Sequence, residues 1–144
     1  EEPKPTYQRK VWLNTPGEGA SHWDAFYSQG MVSIGRGELG DLTLFNSRDQ
    51  FKERLVELGG NPDASMKNTT LELWEFSRVM KVGDIVITKK GSKEYLGLGV
   101  VESDYYFDST HVEFNHCRKV DWIKKGSWLE TNGPIVVAKT LTDI

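Results

Sequence analysis

The side chains that could do chemistry are few. The chain holds three histidines, His22, His111 and His116, and one cysteine, Cys117. A metal site needs three or four converging ligands, and no other strong ligand pair stands at helical or hairpin spacing beside them. The histidines therefore read as surface or hydrogen-bonding residues, and no metal is expected. Cys117 adjoins His116, but a nucleophile takes its base from across the fold, and a lone thiol in a predicted strand reads as core. A single cysteine also excludes an internal disulfide framework. Gly35-Arg36-Gly37-Glu38-Leu39-Gly40 matches the dinucleotide fingerprint G-x-G-x-x-G. That fingerprint needs its third glycine to open a helix, whereas Asp41 to Phe45 reads as extended, with an acid where phosphate would sit. No G-x-x-x-x-G-K-[ST] occurs, and no triad or carboxylate pair assembles, so no catalytic residue and no cofactor are expected.

The stronger signal is aromatic. Five Trp, five Tyr and six Phe stand among 144 residues. Trp23, Tyr27, Tyr105, Tyr106 and Phe107 lie next to expected loops, where recognition side chains concentrate. Stacking a base on such rings is worth about 1–3 kcal/mol per base. Trp74 and Trp122 read as core, Trp12 is open between the two roles, and Trp128 stands in an expected turn at Gly126-Ser127. Lys89, Lys90 and Lys93 gather on one expected hairpin, and Arg118, Lys119, Lys124 and Lys125 bracket a later strand. A solvated turn is the ordinary reading of such lysines, but beside the aromatics they would touch phosphates.

The elements that must position these residues fit one compact domain, with 38% hydrophobic and 27% charged residues. The net charge of -3 lacks the basic excess of a protein that coats nucleic acid. Residues 1–72 hold 8 Lys and Arg against 11 Asp and Glu, and residues 73–144 hold 10 against 10, so an anion partner is better sought in the second half. No apolar run approaches a membrane span, and the first residues resemble neither a signal nor a transit peptide, so a soluble, cytoplasmic chain is expected.

Residues 1–8 read as a disordered lead-in. Lys10 to Leu13 reads as a strand ended by the turn Asn14-Thr15-Pro16-Gly17. A helix capped by Ser21 with Asp24 follows, carries Trp23, Phe26 and Tyr27 on one face, and stops at Gly30. Met31 to Ile34 reads as a buried strand. A second helix starts at Ser47, boxed by Gln50, and runs to Gly59-Gly60; a third starts near Thr69, boxed by Glu72, with Leu73, Phe76 and Met80 or Val79 inward. Strands are expected at Asp84 to Lys89, Tyr95 to Glu102, Cys117 to Ile123 and Ile135 to Ala138. Helices mostly early and strands mostly late predict an α+β fold, a small curled sheet or barrel of about five to six strands with about three helices packed on it.

Lys81-Val82-Gly83-Asp84-Ile85-Val86-Ile87, then Leu96-Gly97-Leu98-Gly99-Val100-Val101 and Arg118-Lys119-Val120-Asp121-Trp122-Ile123, resemble the EVE and YTH branches of the PUA-like superfamily. The opening Val11 to Glu18 through Trp23, then Ile34-Gly35 and Gly40-Asp41-Leu42, is similar to the EVE-type domain at the N-terminus of McrB-like restriction proteins. The likeness covers residues 9–138, and 139–144 resembles the start of a connection to an AAA+ motor. It implies a curled β-barrel that takes an everted, modified base of DNA into an aromatic pocket. It also implies an AAA+ motor in the full-length chain and a separate nuclease as partners, with the parent protein a GTP-dependent restriction subunit.

The same resemblance places pocket walls at Asn14 and Thr15 with Trp23 nearby, at Ser33 through Gly35 and Arg36, and at Tyr105 and Tyr106. Arg36 stands where such domains often carry an aromatic, and its guanidinium can stack or pair a phosphate. On this reading Tyr105 and Tyr106 form one face, with Trp23 or Trp12 opposite, and Asn14 and Asp41 read the polar edge of the base. Lys89, Lys90, Lys93 and Arg118 hold the flanking backbone. The rival readings are an RNA-binding module, a protein-interaction domain and, last, an enzyme.

Overall fold

The computed structural model describes residues 9–91 and 94–129. The expected lead-in at 1–8, Lys93, the strand at Ile135 to Ala138 and the connection at 139–144 lie outside them. The chain folds as an α+β domain, a curled sheet of six strands with three α-helices. Strand β1 (Val11–Asn14) leads through helix α1 (Trp23–Gln29) to β2 (Met31–Ile34). Helices α2 (Arg48–Glu57) and α3 (Ala64–Trp74) follow, and α3 runs on into a π-helical turn, Glu75–Val79. Strands β3 (Ile85–Lys90), β4 (Glu94–Val101), the short β5 (Tyr106–Phe107) and the long β6 (His116–Leu129) complete the fold. Among the described residues no helix is long and apolar enough to cross a membrane.

The strand order is β1-β3-β4-β6-β2, with β5 also on β6; β1 runs parallel to β3 and the other pairs are antiparallel. β1 and β2 are thus the two ends of this strand order, although the sequence between them is short. Alternation sets the faces, as the two-residue period of a strand requires. Val86 joins the main core with Trp23, Phe26, Phe51, Leu73, Phe76 and Val120, while Ile85 and Ile87 form a second buried cluster with Tyr95 and Leu98.

The Lys81-Val82-Gly83-Asp84 segment has a structural role. The buried Asp84 carboxylate accepts from the backbone N–H of Lys10 at 3.2 Å, the N–H of Lys81 at 2.9 Å and the indole N–H of Trp12 at 2.9 Å. It ties β1 to the start of β3 and fixes the Trp12 ring.

Several boundaries differ from expectation. α1 begins after His22 without a side-chain cap, so Ser21 does not perform that role, although Gly30 ends the helix as expected at φ 63°. Asp41 to Phe45 is not extended: Leu42–Leu44 is a short 3-10 turn, because the Asp41 carboxylate accepts from the Thr43 N–H at 2.9 Å and its hydroxyl at 2.7 Å. α3 starts at Ala64 because Asp63 accepts from the N–H groups of Ser65 and Met66. The capping pair at Thr69 and Glu72 lies inside that helix. No turn forms at Gly126-Ser127, because cross-strand pairing with β4 carries β6 to Leu129.

Candidate functional site

The curl of the sheet brings β1 and β2 to opposite sides of a groove. Its larger chamber, about 580 Å³, is lined by Trp12, Leu13, Asn14 and Thr15 on one side and Val32 and Ile34 on the other. Asn68, Leu71, Glu72, Glu75 and Phe76 of α3 and the π-helical turn cover it, with Val86 and Met80 completing the lining. A smaller chamber of about 270 Å³ shares Asn14, Thr15, Ile34 and Glu72 and extends past Ser33 and Gly35 to His22, Phe26 and Phe114. Among the described residues, β1 pairs only with β3 and β2 only with β6, so each strand has one edge without a ladder. Unladdered edges carry main-chain donors and acceptors available to a ligand.

Asn14 is the most telling residue. Its Oδ1 is buried and has no hydrogen-bond partner, a state that ordinarily costs about 1–3 kcal/mol. Native folds leave few such groups. Glu72 borders both chambers, and desolvation raises its carboxyl above the ordinary carboxylate value, with the Arg36 charge pulling it back. Trp12 supplies one aromatic wall. Phe76 supplies another, held by the π-helical register, in which the Met80 N–H bonds to the Glu75 carbonyl at 2.8 Å. Such π segments recur at functional sites because the extra residue redirects side chains.

Of the residues anticipated from sequence, Trp12, Asn14, Ser33 and Gly35 line the groove. Trp23, Asp41, Tyr105 and Tyr106 do not. Trp23 is core, only 6% exposed and edge-on to Trp122 with centroids 4.8 Å apart. Asp41 is spent as a cap. The Tyr105 hydroxyl accepts from the Leu42 N–H at 3.1 Å and bonds His116 Nδ1 at 2.7 Å, and burial pushes the phenol up to about 12. The carbonyl of Arg36 can only accept, so His116 Nε2 donates to it at 2.8 Å and Nδ1 accepts from Tyr105. Tyr106 is half-buried on β5, opposite Cys117, and its phenol is raised by burial. Cys117 itself is buried, with its thiol pushed up to about 11, and both nitrogens of neighbouring His116 are committed elsewhere.

The cation assignments divide in the same way. Arg118 is 2% exposed, and its guanidinium donates to the carbonyls of Phe76 at 2.7 Å and Ser103 at 3.1 Å. It cannot reach a phosphate, and it pins the π-helical turn against β6. Arg36 is exposed, 3.8 Å from Glu38, in a left-handed conformation at φ 72°. Lys89 and Lys90 directly follow Thr88, the β3 partner of Asn14, and so stand at the Asn14 end of β3. Lys89 sits 5.6 Å from the Tyr95 ring, and Lys90 is exposed.

Sequence reasoning missed Glu72 and Phe76 as site residues. A signal existed: Asn68, Leu71, Glu72 and Glu75 follow i, i+3, i+4, i+7 and form one helix stripe. It also missed Phe114, which stacks on His111 at 4.5 Å and meets His22 edge-on at 4.9 Å. No curated protein matches the chain. The family model of the domain of unknown function DUF8426 matches residues 10–143, and the chain belongs to that family.

Proposed function

We propose that this domain is a nucleic-acid reader that takes one modified, methylated base of DNA out of the stack and into the groove between β1 and β2. The observation that carries the reading is a cavity walled by Trp12 and Phe76 and lined by Asn14, whose buried Oδ1 has no hydrogen-bond partner. A volume of about 580 Å³ suits a small planar ligand, and a few convergent polar groups among apolar ones are what such sites use.

The energies support capture of this kind. Extruding a base costs a few kcal/mol. Stacking returns about 1–3 kcal/mol. A donor to Asn14 relieves a penalty of about 1–3 kcal/mol. The Glu72 carboxyl accepts from a ring or exocyclic N–H when ionised and donates to a ring nitrogen when protonated. Trp12, Asn14, Ser33 and Gly35 keep the pocket roles expected for them, with Glu72 and Phe76 added. Lys89 and Lys90, which follow the Asn14 partner Thr88 on β3, would hold the flanking backbone. In the setting that the McrB-like resemblance implies, the domain would direct a motor and nuclease to modified DNA.

The test is fluorescence-anisotropy binding to matched duplexes carrying adenine, N6-methyladenine, cytosine or 5-methylcytosine. One methylated duplex should bind about 10- to 100-fold more tightly than its unmodified match, the range open to a methyl-sized contact. Asn14→Ala and Glu72→Gln should remove most of that preference. Equal affinity for all four duplexes would overturn the reading.

A further inference from the structure

A second cavity, an open cleft of about 680 Å³, lies between the two long helices away from the base groove. Its lining includes Arg48 and Lys52 from α2 and Lys67 from α3, with Trp74 as an apolar wall. Arg48 spans the cleft: one guanidinium nitrogen donates to the Lys67 carbonyl at 3.2 Å and the Thr70 hydroxyl at 3.4 Å. Its Nε is buried and lacks an acceptor. Lys52 and Lys67 are exposed, and among the described residues neither joins an ion pair. Two carboxylates share the lining, Asp49 and Asp63, but Asp63 is committed to the Ser65 and Met66 N–H groups and the Ser65 hydroxyl. Three cations, one with a buried donor lacking an acceptor, therefore face a single uncommitted acid.

The contrast with the groove is the informative point. α3 presents Asn68, Leu71 and Glu72 to the base groove and Lys67, Thr70 and Trp74 to the cleft. The groove's larger chamber has no cationic side chain in its lining, whereas the cleft has three. A helix with its side chains is about 10–12 Å across. A B-form strand advances about 3.4 Å per nucleotide, so the two sites are about three nucleotides apart.

We infer that the cleft between α2 and α3 is a phosphodiester-binding site, in which Arg48, Lys52 and Lys67 hold the nucleic-acid backbone a few nucleotides from the captured base. Only the spacing from the captured base rests on the base-groove reading. The cleft's affinity for phosphate does not.

The test is the salt dependence of binding by the full chain, from 50 to 200 mM salt, on modified and unmodified duplexes. Removing two phosphate contacts lowers the slope of log K against log salt by about 1.8. The double variant Lys52→Gln/Lys67→Gln should show that drop on every duplex, with the preference for the modified base unchanged and the thermal melt unaltered. Arg48→Gln should add a further loss of affinity common to all duplexes. An unchanged slope in the double variant overturns the inference, as does an equal drop in the comparison pair Lys119→Gln/Lys125→Gln on β6. If the wild type shows no base preference while the cleft variant still loses slope, the reader hypothesis fails and the phosphate site stands.

Discussion

Two regions of this domain are made from the same kinds of side chain and end in opposite states. Around Tyr105, a phenol, an imidazole and the Arg118 guanidinium are buried, and their donors and acceptors are matched by Leu42, Arg36, Phe76 and Ser103. Around Asn14, an indole, an amide and a carboxyl surround open space, and one buried acceptor has no partner. Aromatic and polar content alone does not separate a binding site from a structural network. The two regions differ in hydrogen-bond completeness, and a satisfied group has little to gain from a ligand.

The sharpest way to break the comparison is Tyr105→Phe. Loss of the hydroxyl strands the buried His116 Nδ1 and the Leu42 N–H together, at a cost of about 2–4 kcal/mol. Urea denaturation should show this loss while the ratio of affinities for modified and unmodified duplexes stays at the wild-type value. A changed ratio with intact stability would move Tyr105 back into the site. Next in size is Gly97→Ala. A Cβ there would overlap the six-membered ring of the Trp23 indole, so overpacking should cost about 1–3 kcal/mol. A wild-type melting temperature would mean that Trp23 is free to move, as a base-stacking wall could be.

These two residues also explain what the sequence could disclose. Strand alternation, the Ser47 cap of α2 and the Gly30 stop of α1 are local signals, and each appears in the fold close to where its pattern lies. Asn14 was legible because a turn run ends its strand there. The helix stripe that holds Glu72 was legible, but not what it faces, since Asn14 and Ile34 are distant in sequence and meet Glu72 only through the curl of the sheet. Tyr105 misled because its surroundings are loop-like in sequence, yet Leu42 and His116 close over it from 63 and 11 residues away. The start of α3 misled for a different reason: two capping signals compete, and Asp63 prevails over Thr69.

A smaller effect comes from protons. Burial holds the His116 imidazole below its ordinary 6.5, although the Arg36 carbonyl, Glu38 and Asp41 pull it upward. The unfolded chain therefore binds this proton more readily. The associated stability is fully present above about pH 6.5 and is lost as pH falls toward the folded value. The Glu72 carboxyl has the opposite sign, since its raised value favours the fold at low pH and the benefit is lost as pH rises through that value. Urea midpoints from pH 8 to 5 should fall in the wild type, and His116→Gln should remove that component. An identical profile in the variant would contradict the lowered proton affinity of the buried imidazole.

The smallest stability effect belongs to the open region. Asn14→Ala deletes an acceptor that already lacks a partner, so the fold loses some packing but also sheds a desolvation penalty of about 1–3 kcal/mol. The two terms oppose each other, and the expected change is within about 1 kcal/mol of zero, with a stabilising sign possible only if the acceptor is truly unpaired. Tyr105→Phe and Asn14→Ala remove groups of similar polarity from similar burial, yet one should weaken the fold and spare binding while the other spares the fold and removes base discrimination. A loss of more than about 2 kcal/mol in Asn14→Ala would exceed that balance. It would mean that Asn14 is bonded within the protein and that the groove, like the Tyr105 network, is closed.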